Sequence, residues 1–240
     1  MTWLEGTVVE NRHWTEALFS LKVEGAPLQF EAGQFVRIAL DIGDERIARP
    51  FSFVNPPSQP VHEFYGVVVP EGPLSPRLAR LRAGDRLFVA SNPAGFLVLS
   101  EVPEARTLWL ISTGTGIAPF LSMLQEGTVW KRFGNVVLVH AVRHANELVY
   151  RDLIAGFPAL RYVRMVSREV APGALSGRIP AALRDGRLEA AAGSALDEAS
   201  HVMLCGNPEM LKDAQAALAE RGLRKHRRRT PGHVTVESFW

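Results

Sequence analysis

The pattern of apolar residues changes near Pro103, and this change restricts the folds open to the chain. Before Pro103, short alternating apolar runs are separated by glycines and prolines, which predicts a closed antiparallel barrel. After Pro103, continuous apolar runs such as residues 108–111 and 136–139 alternate with segments of helical period. Such strands form parallel sheets covered by helices on both faces. We therefore expect a two-domain β + α/β protein, with an N-terminal antiparallel Greek-key β-barrel over residues 1–102 and a C-terminal parallel α/β sheet over residues 103–240.

The composition is that of a globular protein, since 47% of the 240 residues are hydrophobic and 22% are charged. A formal net charge of +2 identifies no acidic partner. Cys205 is the only cysteine, which excludes an internal disulfide and an iron–sulfur cluster ligated by cysteines of this chain alone. Because no basic start leads into an apolar core and no apolar run reaches membrane-spanning length, we expect a soluble, cytoplasmic protein.

The run Arg49-Pro50-Phe51-Ser52 combines a fixed cation, a flat ring and a small hydroxyl at the end of a predicted strand. A guanidinium binds phosphate oxygens in a forked geometry, and an aromatic ring can lie against another π-face. The run therefore suits a flavin dinucleotide. Taken alone, however, such a run is more often a solvated arginine followed by a core phenylalanine.

Residues 71–81 change to a helical period, with Leu74, Leu78 and Leu81 on one face. We predict Ser75 as the N-cap and Pro76 as the first helical residue. A helix start preceded by a glycine presents free backbone N–H groups to an anion. The alternative is that Ser75 only caps its own helix.

In the second half, the ends of the predicted strands carry the candidate ligand residues. The loop of residues 113–116, Thr-Gly-Thr-Gly, lacks the third glycine of the usual dinucleotide fingerprint but offers backbone that a pyrophosphate or nicotinamide could approach. Arg143, Ser167, Arg168 and Arg178 follow the next strands, and such residues favour the 2′-phosphate of NADP over the free ribose of NAD. Each arginine alone is more often a solvated surface residue.

Four further features of the sequence require interpretation. Cys205 is either a buried small apolar residue or a neighbour of the nicotinamide. The basic run at residues 226–229 could bind nucleic acid, although a strand-like segment follows it at once. His140 and His144 are four residues apart, but the interval runs from a strand into a loop, so a metal site is not expected there. The terminal Phe239 and Trp240 are expected to cover a flat group.

Together these residues resemble the plant-type ferredoxin–NADP reductase superfamily, and most closely the bacterial ferredoxin/flavodoxin–NADP(+) reductases. The resemblance covers essentially the whole chain. Its motifs are Arg49-Pro50-Phe51-Ser52, Gly72-Pro73-Leu74-Ser75, Gly114-Thr115-Gly116-Ile117-Ala118-Pro119, Ala141-Val142-Arg143 with Glu147, Leu148 and Tyr150, Ser167-Arg168-Glu169, Cys205-Gly206-Asn207-Pro208, and Val236-Glu237-Ser238-Phe239-Trp240.

The resemblance implies an FAD-dependent oxidoreductase that transfers a hydride between NADP(H) and flavin N5, then passes single electrons to ferredoxin or flavodoxin. It implies a catalytic role for Ser52, Cys205 and Glu237. The cofactor-binding residues that it implies are Arg49, Pro50, Phe51, Ser52, Val67, Val69, Gly72, Leu74, Ser75, Thr113, Gly114, Thr115, Gly116, Arg143, Ser167, Arg168, Arg178, Gly206, Phe239 and Trp240. A monomer without metal, nucleic acid or membrane partners is expected.

Two departures from the superfamily and three alternatives remain. Many relatives have tyrosine where this chain has Phe51, so a hydroxyl contact to the cofactor is missing. Photosynthetic relatives end in a tyrosine, whereas here the nicotinamide would have to displace Phe239. The alternatives are a reductase subunit that serves an oxygenase, a nucleic-acid-binding protein, and a flavin-binding sensor without turnover.

Overall fold

The computed structural model describes residues 2–238. The chain forms two compact units. The first unit extends to Val98 and includes Ala118–Glu126, and the second contains Leu99–Ile117 and the residues from Gly127 onward. The predicted division into residues 1–102 and 103–240 stays a prediction of domain organisation.

The first unit is built on a six-stranded antiparallel sheet in the order β4-β3-β6-β1-β2-β5. Its strands are β1 (Trp3–His13), β2 (Leu18–Glu24), β3 (Phe35–Ile42), β4 (Glu45–Ser52), β5 (His62–Val67) and β6 (Arg86–Ala90). An isolated bridge joins Phe53, the residue after β4, to Phe64 within β5, and so connects the two outermost strands. This arrangement confirms the predicted antiparallel barrel. Pro50, which has no N–H to donate, lies in the outer strand β4, where a missing donor is tolerated.

Two helices belong to the first unit, α1 (Ser75–Leu78) and α2 (Ala118–Glu126). Leu74 and Leu78 pack into the barrel core with Phe19, Ile38 and Val89. From α2, Ser122 Oγ donates to Asn55 O at 2.7 Å and Gln125 Nε2 donates to Val54 O at 2.7 Å. These bonds hold α2 on the segment that follows β4.

The helix predicted over residues 71–81 is reduced to α1, and the predicted N-cap is wrong. The N-cap is Leu74, and its side chain makes no capping bond. The hydroxyl of Ser75 instead accepts from Val69 N at 2.9 Å. Asn11 Nδ2 donates to the carbonyls of Leu78 (3.3 Å), Ala79 (3.0 Å) and Leu81 (2.8 Å). These carbonyls are therefore satisfied from β1, which allows the helix to end early.

The second unit is a parallel six-stranded sheet in the order β10-β9-β8-β7-β11-β12. Its strands are β7 (Thr107–Thr113), β8 (Asn135–Val142), β9 (Leu160–Val166), β10 (Leu175–Ser176), β11 (Ser200–Gly206) and β12 (Val234–Ser238). Its helices are α3 (Thr128–Arg132), α4 (Arg151–Ala155), α5 (Ile179–Arg184), α6 (Arg187–Ala192) and α7 (Pro208–Ala219). The predicted parallel sheet is confirmed. Among the described residues, none of the helices has the length and apolar character needed to cross a bilayer.

Two predicted helices of this unit are shorter than expected. The helix predicted over residues 147–157 is limited to α4, because Tyr150 adopts a left-handed backbone with φ of 58°. The helix predicted over residues 178–191 is divided into α5 and α6 at Gly186, whose φ is 76°. By contrast, α7 begins as predicted at Pro208, where Asn207 Oδ1 accepts from Glu209 N at 3.0 Å and Met210 N at 3.1 Å.

Candidate functional site

The carboxyl ends of the parallel strands in the second unit lie along one edge of its sheet, where ligands of such sheets bind. β7 ends at Thr113, β8 at Val142, β9 at Val166, β10 at Ser176 and β11 at Gly206. Each predicted NADP(H) residue in the described part of the chain lies at one of these ends or in the segment that follows it. The structure therefore brings these residues to one edge.

The loop after β7 and the end of β11 approach each other too closely for side chains. A Cβ atom on Gly116 would lie 2.6 Å from Cys205 O, and one on Gly206 would lie 2.1 Å from Thr113 Oγ1. Thr113 Oγ1 also accepts from Asn207 N at 3.0 Å. Gly206 has a φ of 141°, which side chains rarely allow. Glycine at both positions thus allows the backbone of the loop to pack directly against the end of β11.

Cys205 and Glu237 are register partners on β11 and β12. Cys205 is fully buried, and both its burial and the nearby Glu237 carboxylate raise the pKa of its thiol. A thiol that stays neutral is a poor nucleophile, so this side chain is suited to shaping a site. Burial raises the pKa of Glu237 to about 7, which allows this carboxyl to hold or release a proton near neutral pH.

The predicted phosphate-binding arginines lie at neighbouring strand ends. Arg168 N donates to Arg143 O at 3.0 Å, which joins the segments that follow β8 and β9. Ser167 Oγ donates to Val142 O at 3.2 Å. Arg178 follows β10, where Ser176 is the register partner of Val166. Arg143, Arg168 and Arg178 are exposed, and none of them forms an ion pair with a carboxylate in the described part of the chain. Their charge is therefore available to an anion.

A row of polar side chains crosses the second sheet just below this edge. Register pairs connect Glu237 to Cys205, Cys205 to Ser112, Ser112 to His140, and His140 to Arg164. We call these five residues the polar row. It could not be recognised from the sequence because it depends on the register of five strands. His140 was considered there only as half of a metal pair, but its Nε2 lies 3.2 Å from Gly114 O.

In the first unit, Arg49 to Ser52 form the second half of β4. Arg49 and Pro50 are exposed, Phe51 is half-buried and Ser52 is buried. A Cβ atom on Gly66 would lie 3.0 Å from Phe51 Cε1, so a glycine there makes room for the ring. Ser52 Oγ has no hydrogen-bond partner among residues 2–238. A buried hydroxyl without a partner is uncommon and fits a bound group that would accept from it.

The segment after β5 forms a compact turn that contains the other predicted flavin residues. Val67 is half-buried, Val69 is exposed and Leu74 is buried. Gly72 N donates to Val69 O at 2.9 Å, and Ser75 Oγ accepts from Val69 N. A Cβ atom on Gly72 would lie 3.1 Å from Val69 O. The turn is therefore tight, and Ser75 closes it. The predicted contacts of Phe239 and Trp240 lie outside the described residues.

Known proteins resemble the chain over its whole length. The family model for the oxidoreductase NAD-binding domain matches residues 110–216. A flavodoxin/ferredoxin–NADP reductase of Shigella flexneri is 51% identical over 245 residues, covering 99% of this chain and 99% of that protein. The protein of the same name from Escherichia coli (strain K12) is 50% identical over 245 residues with the same coverage.

A solved structure has the same fold. The crystal structure of a ferredoxin NADP+ reductase from Neisseria gonorrhoeae with bound FAD and NADP matches with a TM-score of 0.96 at 33% identity, covering 100% of both chains. The likeness therefore includes both the antiparallel and the parallel sheet.

Proposed function

The chain belongs to the flavodoxin/ferredoxin–NADP reductase family, and on this basis we propose the following reaction and residue roles. The protein is an FAD-dependent oxidoreductase that transfers a hydride between NADP(H) and flavin N5 and exchanges single electrons with ferredoxin or flavodoxin. The observation that carries this proposal is the full-length identity to reductases of that name. Those names also favour this function over a reductase subunit that serves an oxygenase.

For FAD, we assign the binding residues of the first unit. The Arg49 guanidinium, which is exposed, and the turn closed by Ser75 would hold the pyrophosphate. The half-buried ring of Phe51 would lie against the isoalloxazine. Pro50, Val67, Val69, Gly72 and Leu74 would shape the surrounding surface. Because Ser52 Oγ is buried without a protein partner, it fits the role of hydrogen-bonding a flavin ring nitrogen.

For NADP(H), we assign residues at the carboxyl edge of the second sheet. The backbone of residues 113–116 and of Gly206 would contact the nicotinamide end. Ser167 and the unpaired Arg143, Arg168 and Arg178 would bind the 2′-phosphate, since a guanidinium matches phosphate oxygens in charge and geometry. Three guanidinium groups and a hydroxyl at these strand ends favour NADP(H) over NAD(H).

Bound FAD supplies the hydride and one-electron chemistry, so the chain contributes alignment, proton control and exclusion of water. Cys205 would restrict the position of the nicotinamide through its uncharged thiol. Glu237, whose pKa lies near neutrality, would hold or release the proton that accompanies electron transfer. Phe239 and Trp240 are proposed to cover the flavin and the adenine. The cytoplasmic location and the monomeric state stay predictions.

The test is the visible spectrum of the purified protein during anaerobic titration with NADPH and then with NADH. We expect an oxidised-flavin spectrum that NADPH bleaches at far lower concentration than NADH does. Turnover with flavodoxin or ferredoxin then identifies the acceptor. A colourless protein that takes up no added FAD would refute the proposal, whereas bleaching at equal concentrations of both nucleotides would refute the 2′-phosphate assignment.

A further inference from the structure

His140 lies directly beside the loop assigned to the nicotinamide end of NADP(H). It is fully buried on β8 and is the register partner of Ser112 on β7. Two residues after Ser112, the carbonyl of Gly114 lies 3.2 Å from His140 Nε2. His140 Nδ1 is buried and has no hydrogen-bond partner in the described part of the chain.

The chemistry of this contact fixes the tautomer of the ring. A carbonyl oxygen only accepts hydrogen bonds, so Nε2 carries the proton and donates it. Burial lowers the pKa of His140 to about 4, so the imidazole is neutral at physiological pH and has a single N–H. That N–H donates to the carbonyl oxygen of Gly114.

Residues 114–117 of this loop form a short 3₁₀-helix that leads directly into α2, and Thr115, Gly116 and Ile117 are buried. Gly114 and Gly116 have no side chains, and Gly114 has a φ of 52°. On the side of β11, Thr113 Oγ1 accepts from Asn207 N, and Gly116 packs closely against the backbone of Cys205. On the side of β8, the described hydrogen bond from a side chain to the loop is the one from His140. Because the C=O and the next N–H of a trans peptide point in opposite directions, holding the Gly114 carbonyl also fixes the direction of Thr115 N–H.

We propose that His140 is a positioning residue that holds the Gly114–Thr115 peptide in the orientation that receives the nicotinamide half of NADP(H). The proposal rests on the NADP(H) assignment above. It predicts selectivity: His140 affects binding of the complete dinucleotide but not of its 2′-phosphoadenosine end, which is assigned to Arg143, Ser167, Arg168 and Arg178.

The test compares His140→Leu with the wild-type holoenzyme. We expect the dissociation constant of NADP+, measured from the flavin difference spectrum, to rise about fivefold, as the loss of one buried hydrogen bond predicts. The dissociation constant of adenosine 2′,5′-bisphosphate, measured by calorimetry, should change less than about twofold, within the usual effect of a distant substitution. Hydrogen–deuterium exchange of residues 113–117 should become faster without any nucleotide.

Conservative variants separate positioning from packing. The amide nitrogen of glutamine can reach the place of His140 Nε2, whereas that of asparagine matches Nδ1. His140→Gln should therefore restore NADP+ affinity and slow exchange, and His140→Asn should not. His201→Leu is the matched control, since His201 is also buried in this sheet but its Nε2 lies 2.9 Å from Thr235 Oγ1.

Three results would overturn the proposal: unchanged exchange of residues 113–117 in His140→Leu, equal weakening of NADP+ and adenosine 2′,5′-bisphosphate, or equal behaviour of the glutamine and asparagine variants. The last comparison decides the matter if His140→Leu does not fold. Failure of the proposed function is a separate outcome, because the wild-type protein would then bind no NADP+, while the exchange measurement would still report on His140.

Discussion

The hydroxyl of Ser52 gives the sharpest prediction at the scale of single residues. Because Oγ has no protein partner among the described residues, Ser52→Ala should change the thermal midpoint of the apoprotein little. If the hydroxyl bonds the flavin, its loss should slow flavin reduction by NADPH by about tenfold or more, as the loss of a hydrogen bond at a reacting centre does. Stopped-flow absorbance measures this rate, and FAD content is the control. A large loss of stability with an unchanged reduction rate would contradict the assignment.

Glu237 predicts a pH dependence of stability. Burial raises its folded-state pKa from 4.5 to about 7. Between these values the folded protein retains a proton that the unfolded chain has released, so this group's contribution to stability falls as the pH rises through the window. Glu237→Gln removes that slope.

The variant should therefore gain stability relative to the wild type between pH 5 and pH 8, by about 1–2 kcal/mol after allowance for partial solvent exposure. Denaturant unfolding of both holoproteins at the two pH values measures the difference. If the difference in unfolding free energy between the two proteins were the same at both pH values, the Glu237 carboxyl would already be ionised at pH 5.

At this scale, sequence patterns predict roles for residues whose chemistry is recognisable in short motifs, such as Arg49 and Ser52, and these roles stay predictions. They did not identify the role of His140 or the polar row. Those depend on register, since a shift of one residue in β8 would place His140 on the opposite face of the sheet. The prediction that Ser75 is an N-cap was wrong because the Ser75 hydroxyl accepts from Val69 N instead, and a local pattern does not reveal that partner.

At the scale of elements, the proposed 2′-phosphate site predicts that the ends of β8, β9 and β10 determine nucleotide selectivity. Replacing both Arg168 and Arg178 with Ala should raise the Michaelis constant for NADPH by at least about tenfold, since each loses a charge-assisted bond to phosphate. The Michaelis constant for NADH should change little. Steady-state assays with both nucleotides measure this difference.

Arg184→Ala is the matched control for this pair. Arg184 belongs to α5 but is paired with Glu220, with Nε and Oε2 3.0 Å apart. Replacing Arg184 therefore removes a positive charge from the same unit, but this charge is already paired with a carboxylate. If Arg184→Ala raised the Michaelis constant for NADPH as much as the double replacement does, general electrostatics rather than binding would explain the effect.

The type of each long element was predictable, whereas helix lengths were not. Continuous apolar runs predicted β7, β8 and β11 because strands buried on both faces have few polar residues. The run at residues 162–166 predicted β9 although Arg164 interrupts it. Helix limits depended on single backbone conformations, as at Tyr150 and Gly186, and on distant side chains, as where Asn11 binds the carbonyls after α1. A local pattern contains no information about such distant partners.

At the scale of the whole molecule, the formal net charge is only +2, but the basic side chains differ in whether they are paired with carboxylates. In the first unit, Lys22, Arg46 and Arg86 are neutralised by carboxylate partners. Arg77 and Arg80, three residues apart on α1 and the turn after it, are exposed and have no carboxylate within 4.0 Å in the described part of the chain. They lie close in sequence to Ser75, which we assign to FAD, so they could attract an acidic electron carrier.

This charge distribution predicts that Arg80→Glu lowers kcat/KM with a flavodoxin by about fivefold at low salt, because a charge at the rim of an interface mainly affects the association rate. Turnover with a small uncharged quinone should be unaffected. The difference should disappear as added salt shortens the screening length from about 10 Å at 0.1 M to about 3 Å at 1 M.

Arg86→Glu changes the net charge equally but removes an arginine already paired with Glu5 at 2.8 Å, so it should have a much smaller effect. If both variants slowed flavodoxin turnover equally, the carrier would sense only the total charge, and docking near α1 would have to be abandoned.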